Sequence, residues 1–315
     1  MSKYRDNLLP LAGGVFLTDG GLETTLIFHE GVDLPEFAAF VLLKTAEGRA
    51  RLRKYYSSYA SLAKEREAGF ILESPTWRAN PDWGKKLGIT LDKLDDYNRD
   101  AIGLLVEIRN EFEGPDNPVL ISGCIGPRGD GYDPGTIMSI DEARRYHSIQ
   151  ISAFASTEAD MVTALTMTNL NEAAGLALAA KHASMPVVIS FTVETDGRLP
   201  SGQSIKDAIE GVDEATDNAS AYYMINCAHP VHFAAYLDDE QDWGKRIRGI
   251  RANASTMSHE ELNCSTKLDD GDPVDLGARY AKLLERFPHI NVLGGCCGTD
   301  TRHVEKIYST CVNGR

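Results

Sequence analysis

Short apolar runs that end on glycine or polar residues recur along the chain. Each is followed by a longer stretch with apolar positions three or four apart. Residues 15–17 run into Thr18, Asp19, Gly20 and Gly21, which reads as a buried parallel strand opening into a polar turn. Leu52, Tyr55, Tyr56, Tyr59 and Leu62 form a stripe that predicts a helix over about 38–68, with Gly69 as its stop. A second strand over 70–75 finishes on polar residues, Glu73 and Ser74 among them. Leu94, Tyr97, Ala101, Leu104, Leu105, Ile108 and Phe112 predict a helix over 91–112, and 118–123 is a strand leading into Cys124. Ser139 with Glu142 forms a capping box for a helix to about 156, and 161–165 is the fourth strand. Asn169 with Glu172 is an N-cap signal for a helix to 183, followed by a clear strand at 186–192. The loop 196–202 leads to a helix capped near Ser204, and a sixth strand at 221–225 delivers Asn226 and Cys227 at its end. A weaker seventh strand covers 249–253; Asp272 and Pro273 open a helix to about 287. The eighth strand is 290–293, and a last helix spans roughly 301–310.

Eight strand-like runs alternating with helical stretches, with no linker between them, predict an α/β chain of parallel β/α units. The count favours one closed (β/α)8 barrel over residues 1–315; periodicity alone leaves an open doubly wound sheet as the alternative. In a barrel all strand ends share one mouth. Asp19, Glu73, Cys124, Thr192, Asn226, Cys227, Asn253, Cys296 and Cys297 would then ring it.

Composition narrows the function. A net charge of −14 argues against a nucleic-acid or anionic-membrane surface, since both require clustered basic residues. No apolar run suits a membrane span and residues 1–5 show no signal core, so the expected address is the cytoplasm. Six cysteines are too sparse for a disulfide scaffold, which favours a metal or catalytic use for any that cluster. Cys296 and Cys297 are adjacent, between Gly294-Gly295 and Gly298. A disulfide between neighbours is strained, whereas flanking glycines let both thiols face one ion, with Cys227 as a third ligand. The plainer alternative is that the pair are structural thiols. Cys124 fits packing better than ligation, Cys264 and Cys311 are incidental, and His229 beside Pro230 suits a turn.

Four motifs carry a resemblance. Asp19-Gly20-Gly21-Leu22-Glu23-Thr24-Thr25-Leu26, Ser122-Gly123-Cys124-Ile125-Gly126-Pro127, Asn226-Cys227-Ala228-His229-Pro230 and Gly294-Gly295-Cys296-Cys297-Gly298-Thr299 resemble, in order, those of the homocysteine S-methyltransferases. That family includes betaine- and S-methylmethionine-dependent enzymes and the homocysteine domain of cobalamin-dependent methionine synthase. The resemblance implies a Zn²⁺ barrel with Cys227, Cys296 and Cys297 as ligands, an open fourth position for the acceptor thiol, and methyl transfer to homocysteine to give methionine. It further implies substrate contacts at Asp19, toward the amino group, and at Gly20, Thr166 and Asn226; Glu23 and Glu73 are expected contacts from their own positions, outside the family pattern. Asn226 alternatively caps the next helix. One departure stands out: Leu165 occupies the fourth-strand position where the family usually has a glutamate for the homocysteine ammonium. Glu23 and Glu73 replace smaller residues and could return that charge.

The expected partners are a small thiol and a small methyl donor, S-methylmethionine or a betaine-like onium compound. Neither nucleic acid nor membrane is expected. A homo-oligomer stays open, and so does a separate corrinoid protein delivering the methyl group, although nothing in the sequence indicates one. The alternatives are a barrel methyltransferase acting on another thiol or selenol, a non-catalytic zinc- or thiol-binding protein, and a redox protein using Cys296 and Cys297.

Overall fold

The computed structural model describes residues 2–238 and 240–312. Its sheet is parallel throughout: β1 (Phe16–Leu17), β2 (Gly69–Glu73), β3 (Val119–Ile125), β4 (Met161–Met167), β5 (Val187–Phe191), β6 (Ser220–Asn226), β7 (Ile247–Ala252) and β8 (Val292–Gly295). Each strand pairs with its neighbours in sequence. Phe16 lies opposite Gly69 on β2 and also opposite Val292 on β8, which closes the barrel. The open-sheet alternative is thereby excluded, and the chain is a (β/α)8 barrel.

The longer helices form where the stripes place them, at Ala46–Glu65, Leu91–Phe112, Ile140–Ala155, Leu170–His182, Ile205–Thr216, Pro273–Arg286 and Thr301–Val312. Leu52, Tyr55, Tyr56, Tyr59 and Leu62 are all buried against the sheet. The Ser139–Glu142 capping box is formed, and Asn169 and Ser204 each accept a backbone N–H from three residues on. The unit after β6 departs from the pattern, its described residues forming short helical turns at Pro230–Phe233, Ala234–Tyr236 and Asp242–Lys245.

Most strand ends shift by one or two residues from expectation, and three differences bear on the site or its frame. The stretch 38–68 is split, because Thr45 adopts an extended conformation and its hydroxyl accepts from the Gly48 amide. The chain before it is a 3-10 turn, Ala39–Lys44, and the helix stops at Glu65, so Gly69 opens β2 rather than ending the helix. β4 runs two residues further than its apolar run and therefore takes in Thr166 and Met167 beyond Leu165. β8 is shifted toward Gly295, which brings the strand up to the cysteine pair.

Inside the barrel, Phe16, Ile71, Leu120, Met161, Val188, Tyr222 and Val292 fill the lower layers, with Tyr4, Leu8 and Leu9 packed beneath them. The amides of Lys3 and Tyr4 donate to Asp160, which also accepts from Ile121 N and pairs with Arg109 at 3.1 Å. This end is packed and pinned, and the strands' C-terminal ends carry the open cavity. Among the described residues no helix is long and apolar enough to cross a membrane.

Candidate functional site

Because β1 pairs with β8, the first and last motifs meet. Gly295 N donates to Asp19 O and Gly21 N to Thr299 O, both at 3.0 Å, while Thr299 folds back so that its amide and hydroxyl both bond Cys296 O. Gly21 must be glycine here, since a Cβ would lie 2.7 Å from Cys296 O; Gly298 holds φ +78°, a region costly for residues with a Cβ. The cysteine loop is thus fixed by backbone bonds on both sides, including Cys296 N to Ala252 O at 2.8 Å and Ala254 N to Cys297 O at 3.0 Å.

Cys227 arrives from β6, with β7 between it and the pair. The three sulfur atoms lie within 4.8 Å of one another, and Cys227 Sγ is 3.5 Å from Cys297 Sγ. Tetrahedral sulfur ligands about 2.3 Å from a zinc ion sit roughly 3.8 Å apart, so the donor set and its spacing fit Zn²⁺. Cys124 is buried in the barrel interior outside this cluster, Cys264 is exposed and Cys311 is packed in the helix layer. His229 accepts from Val231 N and caps the short turn, as a structural residue would. The Cys296 thiol is held well below the usual cysteine value, first by hydrogen bonds from Cys227 and Cys297 and then by the Arg251 charge, against burial.

Two residues at the mouth carry positive φ, Thr166 at +63° and Cys227 at +58°. For a β-branched threonine this is a strained conformation, of the kind held where the surroundings over-determine it. Asn226 supplies that constraint. Its oxygen accepts from Thr166 N (2.9 Å) and Ser190 Oγ (2.6 Å), and its amide donates to Thr166 Oγ1 (2.9 Å) and faces Cys296 Sγ at 3.9 Å. Asn226 therefore orients the site; the cap of the following turn is His229. The Cys227 carbonyl is held in turn by His259 Nε2 at 2.7 Å and Asn253 Nδ2 at 3.0 Å.

The electrostatic centre is Arg251 at the end of β7, a residue outside the expected site. Its guanidinium pairs with Asp19, and Nε donates to Gly295 O at 3.1 Å; its own carbonyl accepts from Cys227 N at 3.1 Å. Desolvation alone would lower the Arg251 pKa, but Asp19 and Glu73 outweigh it and keep the group charged. Burial raises the Asp19 carboxyl, opposed by Arg251 and by Tyr55, whose hydroxyl donates at 3.1 Å. Both Asp19 oxygens are therefore engaged within the protein. A charged side chain inside the apolar run of β7 was the available sequence signal. Tyr132 was also unforeseen: its hydroxyl is 3.2 Å from Cys227 Sγ and 3.8 Å from Cys297 Sγ, and its ring stacks on His259 with centroids 3.9 Å apart.

These groups line a cavity of about 360 Å³ that also takes in Glu23, Glu73, Leu165, Thr166, Phe28, Phe37 and Trp77. Gly20, another expected contact, lies in the same wall. Burial raises the carboxyls of Glu23 and Glu73 to about 7; Arg251 opposes it at Glu73. A carboxyl raised from 4.5 in the unfolded chain to about 7 binds its proton more tightly when folded. Its contribution to stability is greatest below the unfolded value and is lost as pH rises through 7. Thermal melts should therefore show Glu73→Gln losing less stability than the parent between pH 5 and pH 8, by at most about 3 kcal/mol. Equal losses in the two proteins would contradict the burial of a titrating Glu73.

A closed parallel barrel gathering three thiols at its C-terminal mouth beside a cavity is an enzyme scaffold built around a thiol cluster. The chain belongs to the homocysteine S-methyltransferase family, whose model matches residues 16–311, and in class it is a methyltransferase. It is 24% identical to a selenocysteine Se-methyltransferase of Brassica oleracea var. italica over 332 aligned positions, covering 98% of this chain and 92% of the relative. It is also 24% identical to homocysteine S-methyltransferase 1 of Arabidopsis thaliana over 249 positions, 73% of each. Among solved structures, the oxidised form of the Escherichia coli homocysteine methyltransferase MmuM matches with TM-score 0.78 at 16% identity, covering 98% of this chain and 99% of that one. Its metallated form matches with TM-score 0.74 at 17% identity, covering 97% and 99%. These likenesses corroborate the fold.

Proposed function

We propose that this chain transfers a methyl group from a small onium donor, such as S-methylmethionine or a betaine, to the sulfur of homocysteine, giving methionine, with Zn²⁺ held by Cys227, Cys296 and Cys297. The observation that carries this reading is the convergence of three sulfur atoms within 4.8 Å at the wall of a cavity. Bound there, Zn²⁺ would favour the thiolate form of an acceptor thiol at neutral pH, since a coordinating thiol is deprotonated outright.

The remaining work falls to the protein's own side chains. Displacement at a methyl carbon is a matter of holding nucleophile and donor in line, and needs no strong acid when the leaving group departs neutral. Asn226 fixes Thr166 and faces Cys296, so the floor of the site is pre-organised before substrate enters. Phe28, Phe37, Trp77 and Tyr132 give the cavity aromatic faces, which attract a cationic methyl donor. Glu23 adds carboxylate character to the same cavity, which also suits an onium charge.

The relative named for selenocysteine favours a second reading, in which the acceptor is a selenol. A panel separates the two. Zinc-loaded, reduced protein is given homocysteine or selenocysteine with S-methylmethionine, betaine or a methylated folate, and products are identified by mass spectrometry. Methionine from an onium donor is the expected product. Methylation of selenocysteine alone would move the assignment to the second reading, and no transfer from any donor would sink both.

A further inference from the structure

The cavity wall contains a buried acid, Glu73, that among the described residues makes no direct ion pair. Glu73 ends β2 at the barrel mouth, is 4% exposed, and its Oε2 is closed off from solvent with no hydrogen-bond partner. Buried carboxylate oxygens are nearly always satisfied, so a carboxyl in a cavity wall with one oxygen lacking a partner has capacity for an N–H or O–H donor once the side chain turns toward a ligand. The neighbouring hydroxyls of Ser122 and Thr163 bond each other at 2.8 Å and also favour the charged carboxylate of Glu73. The other acids are less suited. Each Asp19 oxygen already accepts one bond, from Arg251 or from Tyr55, and Glu23 is less buried than Glu73. Leu165 offers the cavity only methyl groups from its side chain.

We propose that Glu73 selects the acceptor by its amino group: its carboxylate, in the cavity wall, takes an N–H of the ammonium of a thiol amino acid, so that a thiol lacking that group is a poor substrate. The assignment rests on homocysteine as the acceptor and names the group that recognises it. Glu73 is a specificity-determining residue here, with no part in bond making.

The test compares homocysteine with 4-sulfanylbutanoate, its counterpart without the amino group, on zinc-loaded parent protein, Glu73→Gln, Glu73→Asp and Glu23→Gln. Methyl transfer and calorimetric binding are both measured, and thermal melts check folding. The parent should prefer homocysteine on the order of 10²-fold in kcat/KM. Glu73→Gln should lose most of that preference through KM, leave 4-sulfanylbutanoate within about twofold, and keep kcat near the parent value. Glu73→Asp should recover part of the preference, and Glu23→Gln should keep the ratio between the two thiols even where it raises the KM of the donor. Methyl transfer to homocysteine with an undiminished amino preference in Glu73→Gln overturns the assignment and leaves the proposed function standing. Binding that prefers the amino compound, and loses that preference in Glu73→Gln, supports Glu73 even if no donor tried supports turnover. Failure of the parent to bind homocysteine overturns both.

Discussion

Cys297→Ala is expected to empty the metal site and stop methyl transfer while leaving the barrel folded. Cys297 lies in a surface turn held by backbone bonds from Cys296, Ala254 and Thr299, and its side chain is only partly buried, so its removal touches little of the core. The loss to the ion is much larger. Two thiolates in place of three forfeit a ligand that contributes heavily to affinities which, for structural zinc, run to about 10–16 kcal/mol. Zinc measured on the purified protein should drop from about one equivalent per chain to a small fraction of that. kcat/KM should fall on the order of 10³-fold or more, since a Lewis acid contributes several kcal/mol to such a step. Cys264→Ser, on an exposed helix outside the cluster, should keep both zinc and activity. Near-zero zinc in the parent and the variant alike would remove the metal from the account.

Arg251→Met should cost the most stability of any single change at the site. It leaves Asp19 as a buried carboxylate with only Tyr55 to satisfy it, and it removes the bond to Gly295 O that braces the cysteine loop. Breaking one partner from a buried ion pair typically costs about 3–5 kcal/mol, chiefly because the survivor is left uncompensated. Asp19→Asn combined with Arg251→Met should therefore be less destabilised than Arg251→Met alone. Chemical denaturation of the three variants measures this. A loss below about 1 kcal/mol in Arg251→Met would show that the pair is not holding the mouth together.

Much of this arrangement was legible in the residues. Strand ends that stop on Asp19, Glu73, Asn226 and the glycine-flanked cysteines place the polar groups at one mouth once eight β/α units close, and β7 between β6 and β8 brings Cys227 to the pair. Local signals did well where the physics is local, as at Ser139, Asn169 and Ser204. Groups whose role depends on contacts across the mouth stayed hidden. Arg251 matters because its reach spans β1 and β8, and Tyr132 because a loop without secondary structure folds it over the thiols. Asn226 had two open roles until Thr166 was found at positive φ against it, a feature no spacing reports. Asp19 is expected to meet the substrate's amino group, and the structure adds Arg251 and Tyr55 as its partners, contacts across the mouth that no spacing reports.

The central claim is that the three cysteines hold an ion that takes the acceptor's sulfur as a fourth ligand. X-ray absorption at the zinc edge, on reduced zinc-loaded protein before and after homocysteine is added, tests it directly. The expected result is a shell of three sulfurs and one lighter atom that becomes four sulfurs, each at about 2.3 Å. A shell with fewer than three sulfurs, or one that homocysteine leaves unchanged, would contradict it.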